Sequence, residues 1–358
     1  MKLGVDIKWM VGNYRGMGRF ARQLVAPVSN EVVALAPRGL STTDWPCVSR
    51  GRGFFPWWEQ VELPRLCRSE RLDFLLCPYN SGPLTDVGST RVIAVIHDLI
   101  YLQPWSVLPP SISAYQTLGR LYRRQVVPAF ARRADTILTV SHFTKGELVH
   151  RLGLAEDDVY VIPNAIADNW FEPPLPLQHR KPYLFTVAGE PPSKNVRGLL
   201  QGFAAAVPAL GPEAHLKIAG VKPAYHAAFM RLASTLGVAD RVQLLGYVSV
   251  EELRQHYREA RVFVFASLFE GFGIPLLEAM ASGTPVACSN TTSMPEVVGD
   301  CGLMFDPRST EDMAHKLCLA WEDTPERAAR SLAAVERARG FSETAVSQQM
   351  AAFWKGMA

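Results

Sequence analysis

The sequence predicts an α/β protein built from two doubly wound, parallel-sheet domains. Short runs rich in Val, Ile, Leu and Phe alternate with longer amphipathic stretches along the whole chain, which is the pattern of successive βα units. A weakly periodic stretch with four prolines, NWFEPPLPLQHRKP, follows residue 165, and a second set of apolar runs follows it in turn. With 358 residues, 48% hydrophobic and 20% charged, the chain has enough apolar material for two separate cores.

In chain order, the first set of strands is LGVDI, EVVAL, FLLC, VIAVIH, TILTV and VYVIP. Between the first of these and an amphipathic helix lie Gly12, Gly16 and Gly18, a loose glycine set that tight βα turns also use for steric reasons alone. VIAVIH ends in His97 and Asp98, at the carboxyl end of a strand, where open parallel sheets bind their ligands. The proline-rich stretch is read as an interdomain linker, with the first domain at 1–168 and the second at 169–340. YLFTVAG, HLKIAG, VQLLG, VFVFAS and TPVACS are the strands of the second set. The final segment places Val346, Met350, Phe353 and Trp354 at helical spacing behind a capping Ser342, so 341–358 is expected to be a helix packed on a core.

The strongest chemical signal follows VFVFAS. That strand runs into a loop with Glu270, Gly271, Phe272 and Gly273, then a helix opened by Ile274 and Pro275 and ended by Gly283. A glycine-rich turn feeding a helix N-terminus is an anion site: backbone N–H groups and the helix dipole face one point, and no Cβ blocks the approach. Glu278 is expected in the first helical turn, where it either caps the helix or accepts hydrogen bonds from a ligand.

Several classes are excluded or disfavoured. Lys2, Asp6 and Lys8 interrupt any leader-like apolar core near the start, and no apolar run is long enough to span a bilayer, so a cytoplasmic protein is expected. Six scattered cysteines without a CxxC pair read as reduced thiols. Neither half shows a clean GxGxxG with an acidic residue at the right distance, which argues against a dehydrogenase. No Asp-x-Asp pair is present, and neither a metal nor a resident cofactor is expected. The formal charge of +3 divides into +5 for residues 1–165 and −2 for the rest, and this modest, clustered excess does not suggest a nucleic-acid partner. Arg50 and Arg52 flank the aromatic run Phe54, Phe55, Pro56, Trp57, Trp58. Such a patch suits peripheral contact with an anionic membrane; the alternative is a solvated basic face over core tryptophans.

The spacing Glu270-x7-Glu278 with GFGIP inside it, followed by EAMASGTPV and then SMPEVVGD, resembles the E-x7-E signature of glycosyltransferase family 4. The resemblance implies a GT-B fold, two Rossmann-like domains facing across a cleft, with the final helix crossing back to the first domain. It implies a retaining, metal-independent hexosyltransferase whose substrate is a nucleoside diphosphate sugar. Glu278 would bind the ribose, and Glu270 the donor sugar near the reacting carbon. Backbone at Gly271, Phe272, Gly273 and Ile274 would face the sugar and diphosphate. TVAGEPPSKN resembles the family's lysine-bearing segment, in which Lys194 would neutralise the departing diphosphate; Ser193 stands where an Arg is common and Ala188 where a Gly is common. Gly16, Met17 and Gly18 would belong to a loop closing over the diphosphate, His97 would hydrogen-bond the donor sugar beside the reaction centre, and Tyr247 and Val248 would lie against the base. Ser141 and Lys145 would start a cleft-lining helix, and Asn164 would end the first domain. The general look of the second half resembles bacterial enzymes of O-antigen and other surface polysaccharides, which favours GDP-mannose or a deoxyhexose donor such as a rhamnosyl nucleotide, and a lipid-linked glycan acceptor at the inner membrane face. Nucleotide-sugar epimerisation or hydrolysis, and a non-catalytic sugar-nucleotide-binding subunit, remain as alternatives.

Overall fold

The computed structural model describes residues 1–11, 16–110 and 114–357. The chain divides into two compact units, one of residues 1–104, 112–165 and 343–358, the other of 105–111 and 166–342.

The first unit holds a seven-stranded sheet of β1 (Leu3–Asp6), β2 (Val32–Ala36), β3 (Cys47–Ser49), β4 (Phe74–Cys77), β5 (Arg91–Val95), β6 (Thr136–Thr139) and β7 (Val159–Val161). Its order is β3-β2-β1-β4-β5-β6-β7, and each neighbouring pair is parallel. β1, β4 and β6 are buried along their whole length, because helices cover both faces and nothing on the strand faces water. The helix Glu343–Met357 belongs to this unit: Val346, Met350, Phe353 and Trp354 are buried, and the Trp354 indole donates to the Leu24 carbonyl at 2.7 Å.

The second unit holds a six-stranded sheet of β8 (Lys181–Val187), β9 (His215–Ala219), β10 (Val242–Gly246), β11 (Ala260–Phe265), β12 (Val286–Ser289) and β13 (Leu303–Phe305), in the order β10-β9-β8-β11-β12-β13. Every pair is again parallel. In both sheets the strand order reverses beside the first strand, at β1/β4 and at β8/β11, and such a reversal opens a crevice at the carboxyl ends of the two strands.

The proline-rich stretch, read from the sequence as an interdomain linker, follows the change of unit at 165/166 and is anchored within the second unit. Trp170 is buried against the Tyr257 ring at 5.7 Å, and Glu172 pairs with Arg254 and Arg258. Gly283 leaves room for Pro174, whose Cβ would otherwise lie 2.3 Å from an added Cβ. Prolines suit such a backbone because it makes no ladder and needs few N–H donors. Among the described residues no helix is long and apolar enough to cross a membrane, and all six cysteines are free.

Candidate functional site

In the second unit the loops after β8 and β11 meet. The β8 loop carries Ser193 and Lys194, and the β11 loop carries Glu270 to Gly273. They are tied by backbone, Leu268 N–H donating to the Ser193 carbonyl at 2.7 Å, and by side chains, Lys194 Nζ lying 2.7 Å from Glu270 Oε1. Both side chains of this ion pair are only partly exposed. Ser193 itself is buried.

Buried hydroxyls fix the Glu270–Gly273 loop. Ser293, with no exposed surface, donates to the carbonyl of Phe272 at 2.8 Å and lies 3.1 Å from that of Glu270. Thr292 Oγ1 accepts the Glu270 N–H at 3.2 Å. Gly273 then takes φ 116° and ψ 51°, a conformation that strains any side chain, and the helix Ile274–Ala281 starts directly after it.

That start point corrects one expectation. Glu278 is the fifth residue of this helix rather than a first-turn residue, so it is not a cap. Glu278 is 6% exposed, and its carboxylate accepts the Tyr257 hydroxyl at 2.9 Å. Tyr257 is fully buried between Phe185 and Phe263, and burial, with the Glu278 carboxylate second, holds its phenol well above the ordinary tyrosine range. Tyr257 is a positioning residue that sequence reasoning passed over, since its helical spacing marks only a core position. Tyr257→Phe is expected to keep the fold and weaken nucleoside diphosphate binding about ten-fold, the scale of one hydrogen bond to a charged group; calorimetric titration checks this, and unchanged affinity would separate Glu278 from the ligand.

Tyr247 and Val248 lie apart from this cluster, on the turn after the edge strand β10. Gly246 (φ 69°) turns the chain there, Tyr247 is 82% exposed, and Ser249 begins the next helix with a capping box to Glu252.

In the first unit Gly16, Met17 and Gly18 form the opening turn of the helix Gly16–Val25, not the loop that was expected; Gly12 lies outside the described residues. His97 stands two residues beyond β5 and is almost fully buried. Its Nε2 is 3.0 Å from the Pro78 carbonyl, which can only accept, so the proton is on Nε2 and Nδ1 is the acceptor. Phe20 packs edge-on against the ring at 5.4 Å, and Asn80 Oδ1 accepts the His97 N–H at 2.6 Å. Burial lowers the imidazole from 6.5 to about 4, the Pro78 bond opposing it weakly. His97 is therefore an uncharged hydrogen-bonding group at neutral pH. A lowered folded value for a base means that its stability contribution is complete above the unfolded value near 6.5 and is lost as pH falls from there toward about 4. Ring-proton NMR is expected to find His97 titrating near 4; a midpoint near 6.5 would contradict the buried geometry.

Ser141 is the N-cap of the helix His142–Leu152, accepting the Thr144 N–H at 3.1 Å, and Lys145 lies 3.8 Å from Glu156. Asn164 is buried near the end of the unit's main segment. Two buried acids that the sequence did not single out stand near the end of β1. Asp6 accepts the Lys8 N–H and the Trp58 indole, each at 3.0 Å, and Glu59 accepts Tyr122 at 2.7 Å and a short bond from Ser81. Burial raises Asp6 to about 6 and Glu59 to about 7.

Two family models match this chain almost end to end. Glycosyltransferase Family 4 covers residues 12–170, and Glycosyl transferases group 1 covers residues 170–337. The chain belongs to glycosyltransferase family 4. Among its relatives, the O-antigen chain mannosyltransferase B of Escherichia coli is 31% identical over 230 residues, covering 62% of this chain and 60% of that protein. The GDP-mannose-dependent alpha-(1-6)-phosphatidylinositol monomannoside mannosyltransferase of Mycobacterium tuberculosis is 29% identical over 246 residues, covering 63% of this chain and 59% of that protein. The chain thus spans about three fifths of the length of these two relatives. Anabaena HepE, solved with UDP-glucose, shares the fold at a TM-score of 0.77 with 16% identity, over 99% of this chain and 100% of that one. The two parallel Rossmann-like sheets are those of a GT-B glycosyltransferase.

Proposed function

We propose that this family 4 glycosyltransferase moves a hexose, with mannose favoured over a deoxyhexose such as rhamnose, from a nucleoside diphosphate sugar to a hydroxyl of a glycan acceptor, with retention and without a metal ion. The observation that carries the reading is the Lys194–Glu270 pair at the β8/β11 reversal, with the oriented carboxylate of Glu278 on the helix that leaves the same loop. The GDP-linked donor and the lipid-linked, surface-polysaccharide acceptor are favoured because one relative is a GDP-mannose-dependent mannosyltransferase of a phosphatidylinositol mannoside and another an O-antigen chain mannosyltransferase. Cytoplasmic placement with peripheral contact at an anionic membrane belongs to the same reading.

In this mechanism Lys194 exchanges Glu270 for the diphosphate, whose growing negative charge suits a compact ammonium. Glu270, released, receives hydroxyls of the donor sugar, and Glu278 accepts those of the ribose. The bond between the anomeric carbon and the phosphate oxygen breaks as the acceptor oxygen bonds to the same face. The departing phosphate oxygen takes the acceptor proton. His97, neutral, is assigned to the donor sugar as a hydrogen-bonding group and not as the base.

A thermal-shift screen against GDP, UDP, ADP and dTDP sugars, followed by mass spectrometry of products with a glycan acceptor, tests this. GDP-mannose is expected to raise the melting temperature most, through mass action, and to yield an extended acceptor. Release of free sugar alone would point to a hydrolase, and an epimerised nucleotide sugar to an epimerase.

A further inference from the structure

The first unit contains a cavity, of about 750 Å³, that no step of the proposed transfer uses. It lies at the sheet edge, where the chain leaves β2 and β3. Arg38 and Arg50 stand just past the ends of these strands, the Arg38 N–H bonded to the Gly51 carbonyl and the Arg50 N–H to that of Ala36. Arg52 and Arg65 also line it, which brings four arginines to the cavity.

The only carboxylate in the lining is Glu62, and its charge is committed. Glu62 Oε1 accepts the Trp57 indole at 2.9 Å and lies 3.6 Å from Arg65. Gly51, at φ 72°, allows this: a Cβ there would sit 2.3 Å from the Glu62 carboxyl carbon. Among the described residues the side chains of Arg38, Arg50 and Arg52 have no hydrogen-bond or ion-pair partner. The lining therefore carries an excess of positive charge, with three exposed guanidinium groups unpaired, which suits an anionic group.

The rim is apolar. Phe54 is 70% exposed and Trp57 44% exposed, whereas the neighbouring Trp58 is fully buried with its indole on Asp6. Of the four aromatics in the run, Trp58 is in the core, Phe55 is half-buried against Trp9 and Tyr122, and Phe54 and Trp57 face outward beside the arginines. Large exposed aromatics cost free energy in water and are suited to the boundary between headgroups and acyl chains.

The geometry points to a lipid-headgroup site: the arginines bind the phosphate of an anionic membrane lipid while Phe54 and Trp57 enter the interface. Charge complementarity sets the anion, and the adjacent apolar rim sets its source as a lipid rather than a soluble phosphate. The site gives the membrane contact of the proposed function a location, and it rests on that part of the reading only.

Flotation of the full chain with vesicles of phosphatidylglycerol in phosphatidylcholine, against phosphatidylcholine alone, tests it. Wild-type protein is expected to float with the anionic vesicles and to be released by salt. Arg50→Ser with Arg52→Ser should reduce binding roughly twenty-five-fold, about five-fold per arginine, and Phe54→Ser alone about ten-fold or more. Equal flotation with both vesicle types, or variants indistinguishable from wild type, would overturn the site. Pyrophosphate that binds the pocket without any vesicle binding would also overturn it, by showing a soluble-anion site. Nucleoside diphosphate titration of the same variants is the control: binding and transfer that persist while flotation fails leave the transferase reading standing and remove this inference alone.

Discussion

Glu270→Gln is expected to lower hexosyl transfer by about 10²–10³-fold while strengthening the binding of free nucleoside diphosphate. The two effects have opposite signs because Glu270 does two things. In the unliganded site its carboxylate holds Lys194 at 2.7 Å, so a diphosphate must displace that carboxylate before it can use the ammonium. The amide is uncharged and cannot hold Lys194 as strongly, which leaves the cation available to the ligand. With a sugar attached, the same amide is a poorer acceptor for the hydroxyls near the reacting carbon, and stabilisation of the developing positive charge is lost. Calorimetric titration and a transfer assay on one preparation check both halves. Weakened nucleoside diphosphate binding would mean that Glu270 supports the diphosphate instead of competing with it.

Arg180→Met is expected to destabilise the second unit by about 3–5 kcal/mol, the scale of breaking a buried charged network. Arg180 is buried, and burial lowers its value to about 10, so it is still charged at neutral pH. Among the described residues no carboxylate pairs with it. Its donors instead reach backbone carbonyls: Leu175 at 3.3 Å, Arg258 at 2.8 Å, Ala260 at 3.2 Å and Gly283 at 2.7 Å, with longer contacts to Tyr257 and Ser282. Apart from Leu175 in the proline-rich stretch, these carbonyls lie in the last turn of the helices Val250–Glu259 and Ile274–Ala281 or just after it, where the helix dipoles are negative. One guanidinium therefore fastens the two helices that carry Tyr257 and Glu278. Arg180→Lys should recover little, because an ammonium has three donors and no planar fork. Urea unfolding followed by far-UV circular dichroism measures the loss, and a change below about 1 kcal/mol would place Arg180 among ordinary surface residues.

Periodicity alone made most of the fold legible. Eleven strands stand out as apolar runs, because strands covered on both faces cannot alternate with polar residues. β3 and β13 escaped notice: each has three residues at a sheet edge, where little apolar surface is required, whereas the equally short edge strand β7 was legible because its apolar run continues through Ile162 and Pro163. The glycine-rich turn and its helix were readable as an anion site, but the register of Glu278 was not. The left-handed backbone of Gly273 fixes the helix start, and no residue pattern announces that angle. Tyr257, Arg180 and Ser293 were invisible for another reason. Their roles depend on which loops the sheet order brings together, and Arg180 within a proline-rich stretch reads as a solvated charge until its carbonyl partners are known.

Titration of nucleoside diphosphate into wild-type protein and Lys194→Ala tests the donor site most directly, using whichever of GDP, UDP, ADP or dTDP stabilises the protein most. The account predicts a loss of affinity of about ten- to hundred-fold in the variant, the worth of a charge-assisted contact, with the melting temperature of the unliganded protein nearly unchanged. Equal affinity in the two proteins would contradict the assignment of Lys194 and the β8/β11 crevice to the donor diphosphate.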